Sequence, residues 1–364
     1  MASLNSGEHR DKTNHFSMGF EMRSIRFKTA LAAAGILAAA VAGVAYGQNK
    51  QVVFVAWGGT TQQGMESAWT PIFTKDTGAA VVSDGPTNYG KIKAMVDAKA
   101  VSWDVIDVEG DWKVRAEKDG LLEKIDYSGI NVADVDKKYY SDYGPAGYAF
   151  SFVLAYNKNA VGNNVPQGWA DFFDTKKFPG KRGMISWMTS GVIEMALLAD
   201  GVKPENLYPL DVERAFKKFD TIKNDIEFWD SGAASQTQIA TGETVMCFCW
   251  GPRIGPVKRD GAPVDIQWNQ HLQTVDYLIV PKGSPNKDLA MKFLNAALTP
   301  EGQAKMAEAN FNSPVNSKSK DLIDPAVWPQ LSAAHPDQAV DINLDFWRDR
   351  GAELSERWAK WKVQ

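Results

Sequence analysis

The sequence predicts an α/β fold of two lobes joined by hinge strands, with a ligand cleft between the lobes. Three observations carry this expectation. Short apolar strands alternate with amphipathic helices, two such units follow one another, and a strand-like apolar stretch stands wherever one unit gives way to the next. A chain of 364 residues, 44% hydrophobic and 23% charged, is long enough and apolar enough for two cores.

The first segment is a leader. Arg23, Arg26 and Lys28 precede an apolar run from Ala30 to Ala45, and Ala45-Tyr46-Gly47 stands ahead of Gln48. A cationic start, a short apolar segment and small residues at the cleavage positions make a secretory signal peptide. The run falls short of the roughly 20 residues of a membrane span; an uncleaved anchor is the alternative reading. The expectation is export to the periplasm, with residues 1–47 as leader and signal peptide. The leader carries five basic and three acidic residues, so the formal charge moves from −4 to −6 once it is removed.

After the leader, Gln51 to Trp57 reads as a strand ending at Gly58-Gly59, and Thr61 to Thr77 as a helix with Met65, Trp69, Ile72 and Phe73 on one side and Gly78 as its stop. Ala79 to Ser83 is a strand, Tyr89 to Ala100 a helix, Val105 to Val108 a strand and Trp112 to Asp119 a helix. Ala149 to Asn157 and Tyr277 to Pro281 are the linking strands. Between them lie helices from Gly191 to Asp200 and Asp211 to Ile222 and a strand from Val245 to Trp250. Helices from Asp288 to Ala297 and Pro300 to Ala309 and a tail from Val340 to Trp361 close the chain. This divides it into lobe 1, residues 48–154 plus 276–313, and lobe 2, residues 155–275 plus 314–364.

Ligands of such sheets bind beyond the carboxyl ends of strands. The loops placed there are Trp57-Gly58-Gly59-Thr60, Glu109-Gly110-Asp111, Ser186 to Ser190, Trp250-Gly251-Pro252-Arg253 and Thr274-Val275-Asp276.

Composition narrows the function. Near-balanced charge offers no broad basic surface for nucleic acid. Four His and two Cys leave few ligands for a metal or cluster, so neither a metal nor any other cofactor is expected. Cys247 and Cys249 sit two apart on a strand, near the outer limit of disulfide geometry, and read as two buried free thiols. Gly59 to Gly64 has phosphate-loop spacing, but Met65 and Glu66 replace the Lys and Ser/Thr that would hold phosphate and magnesium. No G-x-S-x-G or H-E-x-x-H is present, and His271 and His335 sit in no recognisable triad. The sequence favours a binder over an enzyme.

Trp57-Gly58-Gly59 after the first strand, Trp103 to Val108, Gly168 to Phe173, Trp250 at the end of a late strand, Thr299 to Gln303 and the tail Arg357 to Trp361 together resemble the bacterial extracellular solute-binding proteins of ABC importers. The resemblance is nearest to their spermidine/putrescine-binding branch and spans Lys50 to Lys362. It implies a type II periplasmic-binding-protein fold, a small-molecule ligand, handover to a membrane permease, and no covalent chemistry. A monomer is expected.

Polyamine binders of this branch are similar in having aromatic walls and carboxylates near both amine ends. Trp57, Tyr89 and Trp250 could supply walls here, and Asp276 matches the late cleft aspartate. The second-lobe segment Ser186 to Gly191 lacks the acids, and Arg253 follows Trp250 by three residues. One acid, one guanidinium and an aromatic box resemble the γ-aminobutyrate-selective members and suit a zwitterion. The candidate ligand-binding residues are Trp57, Gly58, Tyr89, Glu109, Ser190, Trp250, Arg253 and Asp276.

Other readings stand beside this one. Arg253 and Asp276 could pair with each other across the hinge, Asp111 could cap the helix after Asp107 and Glu109, and Ser190 could cap the helix near Gly191. Putrescine or spermidine is the alternative ligand. Tyr139-Tyr140 could bind ferric iron, with packing as its structural reading, and a periplasmic enzyme acting on a small amine or sugar is a third class.

Overall fold

A computed structural model describes residues 50–364, so the expected signal peptide and its cleavage site lie outside the described residues. β1 (Gln51–Val55) buries Val52, Phe54 and Val55 and leads into α1 (Gly59–Thr77). Met65, Trp69 and Phe73 recur every four residues on the buried face of α1, and Gly78 in the left-handed conformation ends it. β2 (Ala80–Asp84), α2 (Tyr89–Asp97), β3 (Val105–Glu109) and α3 (Gly110–Lys118) complete the first run. The three strands are parallel, in the order β2-β1-β3.

A two-residue β4 (Tyr140–Ser141) precedes the long β5 (Gly144–Asn157). The second run comprises α4 (Lys158–Val161), α5 (Trp169–Phe173), β6 (Lys181–Ile185), α6 (Val192–Ala199), α7 (Val212–Asp220), β7 (Ile226–Trp229), α8 (Gly232–Thr241), β8 (Thr244–Trp250) and α9 (Gly251–Arg259). Here β8, β6 and β7 are parallel. β9 (Val264–Ile279) returns along β5, and α10 (Lys287–Leu298), α11 (Pro300–Asn310), β10 (Ala339–Asp341) and α12 (Leu344–Val363) follow.

One sheet of ten strands, ordered β2-β1-β3-β9-β5-β8-β6-β7, runs through the chain, with β10 on β9 and β4 on β5. β5 and β9 are antiparallel to each other and to their outer neighbours, so they join two parallel three-stranded halves. Each half has its own core. Phe54, Trp69, Trp103 and Phe293 belong to the first; Trp169, Phe219, Phe248 and Trp358 belong to the second, which the tail helix α12 covers. Phe150 and Leu344 pack against both.

The register of β5 on β9 slips between Phe152 and Leu154, opposite the stretch from Gln267 to Leu272, where Gln270 takes φ 59°. Extra residues on one strand bend the pair at the crossing between halves. His271, in this bulge, is pinned by Ser151 Oγ at 2.7 Å and the His335 carbonyl at 3.0 Å.

Two local expectations are corrected. Cys247 and Cys249 are not free thiols but a disulfide. Their Cα atoms are 5.4 Å apart, inside bonding range, because the strand is contracted below the roughly 6.8 Å of two regular strand residues. Thr274-Val275-Asp276 is not a strand-end loop but the interior of β9, because the strand pairs first with β5 and then with β3.

Candidate functional site

Strand register builds the first wall of the cleft. Asp276 on β9 lies directly opposite Glu109 on β3 and Tyr148 on β5, so the three side chains share one face of the sheet. Asp107, two residues before Glu109, shares it too. The Tyr148 hydroxyl is 2.8 Å from Asp276 Oδ2 and 3.0 Å from Asp107 Oδ2. Trp57, two residues past β1, donates its indole N–H to Asp276 Oδ2 at 3.1 Å.

Gly58, with φ 77°, turns the chain out of β1, and its N–H donates to Gln62 Oε1 at 3.1 Å. A Cβ added at Gly58 or Gly59 would meet open space. The aromatic wall continues from Trp57 to Tyr89, edge to face at 6.1 Å, and Tyr89 stacks on Trp112 at 4.4 Å. The Tyr89 hydroxyl donates to Glu109 Oε2 at 2.9 Å.

Burial sets the charge on this wall. It pushes Asp276 well above the usual carboxylate range, with Asp107 and Glu109 adding repulsion, and pushes Asp107 up likewise. Glu109 is crowded by protein yet open to solvent, as a cleft wall requires, and burial with Asp111 nearby lifts it to about 7. Among the described residues no cation acts on Asp107 or Asp276.

The second wall is built from strand ends of the other half. Trp250 ends β8, Trp229 ends β7 and Trp187 lies just past β6; their rings meet at 5.0 to 5.9 Å. Trp250 is half-buried, and Trp187 is 39% exposed. Arg253 is the third residue of α9, and its backbone carbonyl is tied to Gln236 Nε2 at 2.8 Å. Its guanidinium packs against Gly232 at the start of α8, where a Cβ would stand 2.6 Å from Nε and 2.9 Å from Cζ. Among the described residues the Arg253 guanidinium has no carboxylate partner, and burial lowers its pKa.

Arg253 and Asp276 are therefore not an ion pair across the hinge, because Trp57 and Tyr148 already occupy Asp276. Asp111 does not cap α3: Glu109 is the N-cap and Asp111 lies in the first turn. Ser190 does not cap α6 either, because Gly191 does, with the Glu194 carboxylate accepting its N–H at 3.0 Å. Ser190 instead lines a cavity of about 210 Å³ with Glu109, Asp111, Arg115 and Trp187, closed on one side by α12. Tyr139 and Tyr140 are engaged in packing: Tyr139 accepts from Gln273 at 3.1 Å, and Tyr140 lies on Tyr127 at 5.3 Å.

Of the eight candidates, Trp57, Tyr89, Glu109 and Asp276 meet on the first wall, Gly58 turns the chain beside Trp57, Ser190 shares a cavity with Glu109, and Trp250 and Arg253 stand at the β8–α9 junction. Sequence reasoning left Asp107 without a role in the site and overlooked Tyr148, Trp187 and Gly232. Tyr148 precedes the apolar run that marks β5 in the sequence, and only register on β9 points it at Asp276. For Trp187 the signal was present, a Trp in a Ser/Thr loop after a strand.

Residues 68–334 match the family model of bacterial extracellular solute-binding proteins. The chain belongs to that family. It is a solute-binding protein, not an enzyme. Proteins of this family bind a small molecule outside the cytoplasmic membrane and deliver it to an ABC permease. The binding protein is 35% identical over 335 residues to a γ-aminobutyric acid-binding protein of Pseudomonas aeruginosa, covering 89% of this chain and 94% of that one. A solved GABA receptor superimposes with a TM-score of 0.82 at 45% identity, over 86% of this chain and 98% of the receptor. The spermidine/putrescine-binding periplasmic protein of Escherichia coli is more distant, 23% identical over 341 residues, 89% of this chain and 94% of that protein. These two-lobed relatives make the halves of the sheet the two lobes of the binding protein.

Proposed function

We propose that the protein binds γ-aminobutyrate (GABA) or a closely related ω-amino acid in the periplasm, as a monomer, and hands it to an ABC importer. The observation that carries this reading is a pair of uncompensated opposite charges. Among the described residues Arg253 has no carboxylate partner and Asp276 no cation; on this reading both stand in one cleft with Trp57, Tyr89 and Trp250. A zwitterion supplies what each lacks: its carboxylate to the guanidinium in bidentate fashion, its ammonium to Asp276, and its methylenes to the aromatic faces.

The named ligands of the 35% and 45% identical relatives support the same choice. A diamine fits less well, because its second ammonium would meet Arg253. Lobes turning about the bulged β5–β9 pair would shut the cleft on the ligand, and removal of residues 1–47 on export would leave both lobes intact.

Calorimetry with GABA and with putrescine decides between the two. GABA is expected to bind tightly and putrescine weakly; the reverse order would overturn the reading.

A further inference from the structure

The acidic end of the cleft holds more carboxyl groups than a single hydroxyl can satisfy in ionised form. Asp107 is fully buried, and its Oδ1 has no hydrogen-bond partner among the described residues. Its Oδ2 and Asp276 Oδ2 both lie within hydrogen-bond distance of the same Tyr148 hydroxyl. A phenol has one proton and donates once; from the other carboxyl it can only accept, so that carboxyl must itself carry a proton.

The groups facing the pair offer no remedy. On β3 there is Glu109, with Asp111 beyond it at the start of α3. Trp57 and Tyr89 face it from the chain after β1 and from α2, and Arg253 on α9 pairs with neither carboxylate. Two ionised carboxylates buried side by side without a cation are strongly disfavoured.

We infer that the empty site holds one proton on the Asp107–Asp276 pair, bridged by Tyr148, and that the ammonium of the ligand replaces this proton on binding. The inference rests on the ω-amino acid reading above. In the exchange one carboxylic O–H bond breaks and the proton passes to solvent buffer. Tyr148 then donates to Asp107, and the ammonium donates to ionised Asp276. The pair and its occupant carry a net charge of about −1 before and after, which is what burial tolerates. An N-acylated amino acid brings no positive charge and is refused.

Calorimetric titration of GABA into the protein at pH 7, in phosphate and in Tris, reads the proton directly, because the two buffers differ in ionisation enthalpy. The expected result is a buffer-dependent enthalpy corresponding to release of up to one proton, with affinity rising by up to about a hundredfold from pH 6 to pH 8. In Asp107→Asn, GABA still binds and most of the release disappears. Equal enthalpies in the two buffers while GABA binds would overturn the proton exchange, as would an undiminished release in Asp107→Asn. If Asp107→Asn does not fold, Tyr148→Phe serves instead: it removes a donor that favours the ionised pair, so the release is expected to persist, and its loss in this variant while GABA binds would overturn the exchange.

Absence of GABA binding in every buffer would overturn the ligand reading instead. The proton is then decided on the ligand-free protein. Its unfolding temperature falls from pH 5 to pH 8, and falls less in Asp107→Asn, only if the pair is protonated.

Discussion

At one end of the cleft two carboxyl groups, a phenol and an indole are tied together across β3, β5, β9 and the turn after β1; at the other a single guanidinium lies beside a glycine with no carboxylate partner among the described residues. The acidic end is over-determined: Asp276 is gripped by two donors and its rotamer is fixed before any ligand arrives. The basic end is held by shape alone, by the seat that Gly232 leaves and by the start of α9. Substitutions at the acidic end should therefore disturb charge, and substitutions at the basic end should disturb position.

The largest effects are expected where a charge is removed outright. Asp276→Ala and Arg253→Ala each leave one end of a bound zwitterion buried without its partner, a loss of about 3–5 kcal/mol. Calorimetry should show GABA affinity reduced from about a hundredfold to several thousandfold. Next comes Gly232→Ala, which adds one methyl where the guanidinium rests. The flexible side chain can move away, so the melting temperature should stay within about 2 °C while affinity falls about tenfold. An unchanged affinity would mean that the seat does not position Arg253.

A smaller effect is expected from Trp57→Phe, which keeps an aromatic wall but removes the N–H that Asp276 accepts. Affinity should fall by about 0.5–1.5 kcal/mol, the worth of one hydrogen bond. The most modest is the pH dependence of the ligand-free fold. Asp107 and Asp276 hold their protons to higher pH folded than unfolded, so the folded state binds more protons and stability falls as pH rises above the unfolded carboxylate range. Exposed carboxyls such as Asp84 and Asp200, lowered by their partners, act in the opposite direction but are already ionised by pH 5. Melting curves at pH 5 and pH 8 should show this decline, and saturating GABA should reduce it.

Much of the fold was legible in the sequence because its elements announce themselves locally. Met65, Trp69 and Phe73 at helical spacing mark α1, and Val52 to Val55 marks β1. Long-range pairing was less legible. β9 reads as a strand only from Tyr277, because its first half is polar where it pairs with β5, and its bulge at Gln270 breaks the alternation. The disulfide between Cys247 and Cys249 was misread for a related reason, since regular strand spacing does not hold at that point of β8. In the site, Trp57, Trp250 and Arg253 follow strand ends and could be picked out; Tyr148 and Gly232 could not.

By itself the sequence determined the residue types of the cleft, namely a lone Arg after Trp250, a late Asp, and Trp and Tyr at strand and helix ends, because these depend on identity and local pattern. Only the tertiary structure decided that Asp107, Tyr148 and Asp276 meet and that Arg253 and Asp276 stay apart. Those outcomes depend on the register of three strands and on the missing side chain of Gly232. Register is settled by which faces of β3, β5 and β9 must be buried together, a property no single segment carries.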